Sequence, residues 1–99
     1  MLITVTNTTT DLYSLLTAAG VNLQAMNVSR RDKTIVIQND HPTIDIFVDA
    51  AKAPFTTGSG GVRLLATGGV LSDVKAQDLS DIHLVTASGT NANVRVFIN

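Results

Sequence analysis

The chain of 99 residues has no cysteine, no tryptophan and no glutamate. Without cysteine there are no disulfides, no thiolate nucleophile and no Cys-ligated zinc or iron–sulfur centre. All 8 acidic residues are aspartate, so one of the good helix formers is missing. Charged residues make up only 15% of the chain, below the usual share of about a quarter. The net charge of −1 lacks the basic excess of a nucleic-acid binder. No apolar run approaches the roughly 20 residues that a membrane-spanning helix needs. The start of the chain has neither a basic n-region nor a long apolar h-region, so no secretory signal is expected.

What is abundant is β-branched: Thr, Val and Ile together supply nearly a third of the residues, a composition that favours strands. With 44% apolar residues and few charges, the chain does not have the low-hydrophobicity, high-charge signature of disorder. Its length suits one domain spanning residues 1–99 with a single core.

Local patterns divide that domain. Ile3 and Val5 share one face of a short extended segment. Leu12, Leu15, Leu16 and Ala19 then fall at helical spacing, which predicts one short helix over 11–19. Thr10 or Asp11 can cap its start and Gly20 can take the left-handed position at its end. From Lys33 the period changes to two. Ile35 and Ile37 face one way; after the Asn39-Asp40-His41-Pro42 turn, Ile44, Ile46 and Val48 do the same. These two runs read as an antiparallel hairpin. Further strands are expected near 62–66, 70–76, 82–87 and 94–98. The turn signals between them recur every 8–12 residues or so, the rhythm of an all-β sandwich or barrel. The expected fold is an antiparallel β-sandwich, jelly-roll or Greek-key-like, with one short N-terminal helix. The expected core contains Ile35, Ile37, Ile44, Ile46, Val48, Leu64, Ile82, Leu84, Val94 and Val96.

Chemical candidates are sparse. His41 and His83 form neither a His-x-His nor a His-x-x-x-His pair, so no metal pair is expected from them and His83 reads as a sheet-face residue. Asp40 beside His41 is no acid–base pair on sequence grounds, because adjacency does not aim two side chains at one proton. Asp45 and Asp49 would lie about 13 Å apart along a strand, too far for a carboxylate dyad. Asp73, Asp78 and Asp81 lack the spacing of a calcium loop. Gly58-Ser59-Gly60-Gly61 leads into a strand rather than a helix, so it is no phosphate cradle. Arg30-Arg31-Asp32-Lys33 reads first as a solvated strand entry and second as a salt-bridge partner for another protein. The 4 aromatics, Tyr13, Phe47, Phe55 and Phe97, are too scattered for a base- or sugar-stacking platform. No catalytic set, cofactor site or metal site is expected.

The segment from Lys33 to Asn99 resembles small tailed-bacteriophage virion proteins of the capsid decoration, or cement, type. The pieces that carry the likeness are Ile35-Val36-Ile37-Gln38-Asn39, Ile44-Asp45-Ile46-Phe47-Val48, Gly60-Gly61-Val62-Arg63-Leu64, Gly68-Gly69, and the stretch 82–96 with its Ala87-Ser88-Gly89-Thr90 turn. The resemblance implies a non-enzymatic protein on the capsid surface of a virion assembled in the host cytoplasm. Its partners would be the major capsid protein of the shell and further copies of itself as a dimer or trimer, with no nucleic acid and no membrane. The alternative it leaves open is a small tail, baseplate or adsorption accessory that binds tail proteins or host glycan.

Five residues are candidates for partner contact. Leu2, Ile3 and Val5 lie in a segment with no charge before Asp11, and exposed edges are usually guarded by charge. Residues 1–10 therefore read either as a partner-contacting arm or as an ordinary first strand. Phe47 and Phe97, with Val36 and Val85, fall on the outward faces of their strands, where the helix and loops or another chain must cover them.

Overall fold

A computed structural model describes residues 1–22, 33–49, 62–76, 78–87 and 89–98. Among them, strand β1 is Leu2–Val5 and β2 is Thr10–Asp11; helix α1 is Leu12–Ala18. Strands β3 (Lys33–Asn39), β4 (Ile46–Asp49), β5 (Val62–Leu64) and β6 (Val70–Ala76) follow. A single 3-10 turn at Leu79–Asp81 leads into β7 (His83–Thr86), and β8 is Ala92–Ile98. No described helix is long and apolar enough to cross a membrane.

The strands form two antiparallel four-stranded sheets, ordered β1-β8-β3-β6 and β2-β7-β4-β5. The chain passes from one sheet to the other after nearly every strand; only β4 and β5 are both consecutive and paired. This double Greek key is the jelly-roll arrangement, one of the two forms that the composition and turn rhythm pointed to.

The expected β3–β4 hairpin is not formed. β3 lies in the first sheet and β4 in the second, and the segment between them turns the corner of the sandwich. The alternation was read correctly, since Ile35 and Ile37 face the same core as Ile46 and Val48. Alternation assigns a face and is blind to which sheet a strand joins. Here the corner is held by Asn39, whose side-chain Nδ2 donates to the Ile44 carbonyl at 2.8 Å and to the Leu64 carbonyl at 3.0 Å.

The core lies between the sheets. Ile3, Val5, Ile35, Ile37, Val94 and Val96 enter it from the first sheet and Ile46, Val48, Leu64 and Leu84 from the second. Of the expected core set, nine members are buried and Ile44 is half-buried against the others. The helix adds Leu12, Leu15 and Leu16. Asp11 caps it, its Oδ2 accepting from the Ser14 amide at 2.9 Å and its Oδ1 from the Ser14 hydroxyl at 2.8 Å. Gly20 sits just past the helix at φ +83°, the left-handed conformation that ends helices.

In the turn between β5 and β6, Gly68 supplies a positive φ of +109° and Gly69 is needed for space. A Cβ on Gly69 would stand 2.5 Å from the Leu65 carbonyl oxygen and 2.6 Å from its nitrogen. That close approach lets the Gly69 amide donate to the Leu65 carbonyl and the Gly69 carbonyl accept from the Asn39 amide.

Candidate contact surface

The two faces of each sheet have different fates. On the second sheet the outward face carries Asp11, His83 and Asp49 in one cross-strand row and Val85, Phe47 and Arg63 in the next. Phe47, Val85 and His83 are all buried, although they point away from the core. Of the two covers expected for Phe47 and Val85, helix and loops or another chain, the chain itself supplies one: both are already buried within it. His83 likewise is a buried sheet-face residue.

Next to that row, Arg63 lies over the Phe47 ring, its guanidinium carbon 5.6 Å from the ring centroid, within cation–π range. Its Nη2 and Nε both donate to Asp45 Oδ2, at 2.7 and 2.9 Å. The other carboxylate oxygen of Asp45 accepts from the Ala66 amide at 2.7 Å, and the Asp45 carbonyl accepts from the Ala87 amide. One aspartate thus ties the entry of β4 to the ends of β5 and β7. The Ala66 amide, and after it the Arg63 guanidinium, hold the Asp45 carboxyl below its ordinary value of 3.8 against an opposing effect of burial.

The sign of the resulting pH dependence follows. The folded pKa is lower than the unfolded one, so this stabilisation is complete above about pH 4 and disappears as pH falls through the folded pKa. In urea titrations, the stability gap between the native chain and Asp45→Asn should be constant near neutrality and shrink on acidification below about pH 4. A gap that persists undiminished at the acid end would mean that the charge of Asp45 contributes nothing.

Several of the histidine and aspartate candidates have structural partners. His41 Nδ1 accepts from the Thr43 and Ile44 amides at 3.1 and 2.9 Å, and its own amide donates to Asn39 Oδ1. Asp40 instead pairs with Arg95 at 3.2 Å, so the two neighbours aim at different groups. Asp78 caps the 3-10 turn by accepting from the Ser80 amide and hydroxyl. Among the described residues no group of three or more His and Asp side chains is placed to hold a metal ion. The Arg30-Arg31-Asp32 and Gly58–Gly61 motifs and Phe55 lie outside the described residues, as does the side chain of Asp73.

On the first sheet the outward face is open. Phe97 is 61% exposed, Leu2 51% and Val70 53%. Val36, directly opposite Phe97 across the β3–β8 pair, is half-buried. Gln38 lies between Arg95 and Val70 in the next row, and Arg95 is opposite Leu2. The result is a broad, gently polar sheet surface with three large apolar side chains presented to solvent. Such groups suit contact with a protein surface better than chemistry on a small molecule.

Of the five contact candidates, the structure brings Leu2 and Phe97 together on this face. Ile3 and Val5 point the other way and are 1% and 0% exposed in the core, and Phe47 is buried on the other sheet. The physical reason is strand alternation: with Leu2 outward, its neighbour Ile3 must face inward. Val70 belongs to the same surface and was not singled out in the sequence. Its outward direction depends on an irregular β3–β6 register, which shifts between Ile35 and Ile37. Comparison with protein-family descriptions, curated proteins and solved structures finds no match to this chain.

Proposed function

We propose that this chain is a non-enzymatic virion structural protein that decorates and stabilises an assembled capsid. The observation that carries the reading is the outward face of the first sheet, where Leu2, Val70 and Phe97 stand exposed on a rigid sandwich. The jelly-roll topology is in keeping with it, being an architecture used by viral capsid domains among others; fold alone does not assign a task.

The mechanism is adhesion. Copies bound at equivalent positions on a symmetric shell need only weak individual contacts, because contacts shared across linked copies add by avidity. A protein that binds the assembled lattice and not its free subunits stabilises that lattice by mass action. Three exposed apolar side chains on a pleated surface fit that demand. They are enough for a contact repeated many times and leave the free protein without a large sticky patch.

The test is sedimentation of the purified chain with empty shells of the virus that encodes it. Co-sedimentation is expected at on the order of hundreds of copies per shell, as lattice binding requires, with a higher temperature of shell disruption. Phe97→Ser should lose binding while its circular dichroism stays unchanged. No binding to shells, or a virion content of about a dozen copies or fewer as expected for a tail or single-vertex position, overturns the decoration reading.

A further inference from the structure

We infer that β1 is a dimerisation edge, on which a second copy of this chain adds its own β1 antiparallel to make one continuous eight-stranded sheet. The argument starts from the four edges of the sandwich. Edge strands expose unpaired backbone groups and are ordinarily protected by shortness, charge, proline or a bulge. In the second sheet, β2 has two residues including Asp11, and β5 has three with Arg63 at the centre. In the first sheet, β6 carries Asp73 and Lys75 in its sequence and pairs with β3 through a register irregularity. The remaining edge, β1, reads Leu2-Ile3-Thr4-Val5, four residues without charge, proline or bulge.

The hydrogen-bond phase of β1 decides what its free side offers. Met1 and Val96 exchange both of their backbone bonds, the Met1 nitrogen donating to the Val96 carbonyl at 2.9 Å and the Val96 amide to the Met1 carbonyl at 2.8 Å. In an antiparallel ladder such pairs alternate, so Ile3 and Val5 bond to β8 while Leu2 and Thr4 turn their N–H and C=O groups outward. Among the described residues neither Leu2 nor Thr4 finds a backbone partner on that side.

These groups are self-complementary. With a two-fold axis at Ile3, Leu2 of one copy faces Thr4 of the other and each facing pair exchanges two bonds, four in all. The register keeps both Ile3 and Val5 sets in their own cores and places no charge opposite a like charge, since β1 has none. It also brings the exposed Leu2 of each copy against the Thr4 of its partner. A two-fold pairing of one surface with itself closes after two subunits and does not propagate into a fibre. Helix α1 follows directly from β2 and also touches β1, while Leu2 and Thr4 stay exposed.

The test compares the intact chain with Thr4→Pro and Thr4→Lys by sedimentation equilibrium over a wide concentration range. Proline at position 4 removes an amide that has no partner among the described residues, an outward edge position of the kind where proline is tolerated. The intact chain should dimerise. Both variants should raise the dimer dissociation constant by about tenfold or more, since two of four hydrogen bonds are lost or each edge acquires a charge diagonal to the like charge of its partner. Their far-UV circular dichroism should match the parent. Phe97→Ser, which disturbs the proposed shell-binding face and leaves this edge intact, should dimerise normally, so the two proposals fail separately. A parent chain that stays monomeric at every concentration overturns the inference, as does a dimer that survives both substitutions unchanged. If both variants misfold, slowed hydrogen exchange of the Leu2 and Thr4 amides on raising the concentration of the intact chain decides the matter; no slowing overturns it.

Discussion

Leu84→Ala should destabilise the domain by about 2–5 kcal/mol, the range for truncating a fully buried leucine. Leu84 is 0% exposed. It sits in β7, an interior strand of the second sheet, with Thr10 opposite on one side and Val48 on the other. Its side chain enters the space between the sheets, where Ile46, Ile37 and Leu12 belong to the same cluster. That cluster is contributed by strands of both sheets and by the helix, which leaves a void at Leu84 hard to close by the movement of one element. In a domain of this size each kcal/mol lowers the melting temperature by about 4–8 °C, and calorimetry should show a fall of more than about 8 °C. Phe97→Ala on the exposed face of the other sheet is the contrast. It loses a cross-strand contact with Val36 and should cost under about 1 kcal/mol. Similar losses for the two variants would refute the assigned inside and outside of the sandwich.

Asn39→Ala should lower stability by about 3 kcal/mol or more, a large effect for removal of a carboxamide. Asn39 is 0% exposed and its side chain makes three bonds: to the Ile44 and Leu64 carbonyls as donor and from the His41 amide as acceptor. Its backbone amide and carbonyl are used as well, by Gly69 and Gly68. Truncation leaves polar groups unpaired in and near the interior, at about 1–3 kcal/mol for each one that stays dry. Asn39→Asp is the sharper variant. A carboxylate can still accept from His41, but it faces two carbonyl oxygens where the amide donated. Burial and those oxygens favour the protonated acid, so the folded pKa is raised above the unfolded one. The native state then binds the proton more readily, and stability falls as pH rises. Urea unfolding should find Asn39→Asp weaker at pH 7 than at about pH 5 relative to the parent chain, whereas the deficit of Asn39→Ala should not vary between them. A mild, pH-independent loss in both would mean that the corner is held by other contacts.

The parts of the fold that were legible in the sequence are those governed by neighbours. The stripe of Leu12, Leu15 and Leu16, with Asp11 before it and Gly20 after it, is a helix with its cap and its stop inside a dozen residues. The alternation of Ile35 with Ile37 and of Ile46 with Val48 correctly reports which side chains meet the core. What alternation does not encode is the sheet to which a strand belongs. β3 and β4 present matching apolar faces whether they pair edge to edge or stand opposite each other across the core. The second arrangement is the one in which Asn39 reaches Leu64, a contact between residues far apart in the chain. Phe47 and Val85 illustrate the same limit on the contact surface. Each was rightly placed on an outward face, but a face turned from the core can still be covered from elsewhere. Leu2 and Phe97, on the first sheet, are the pair for which outward also means exposed.

The order β1-β8-β3-β6 has a consequence for how the molecule comes into being. β8, the last of the described strands, occupies an inner position between β1 and β3, with Leu2 registered against Arg95 and Asn39 against Val94. The first of the described strands therefore has no ladder partner until the last of them has been made, whereas β3 and β6 can pair without it. Loop closure over almost the whole chain must precede the contacts that reward it, which puts such topologies among the slow folders, on the order of milliseconds to seconds. During that wait the uncharged β1 segment is an unpaired strand in a crowded compartment. A shortened chain ending before β8 would lose more than a margin of the sheet. It would strand β1 altogether and leave β3 with β6 alone, and the interior face of Ile3, Val5, Ile35 and Ile37 would be opened to water and to other chains.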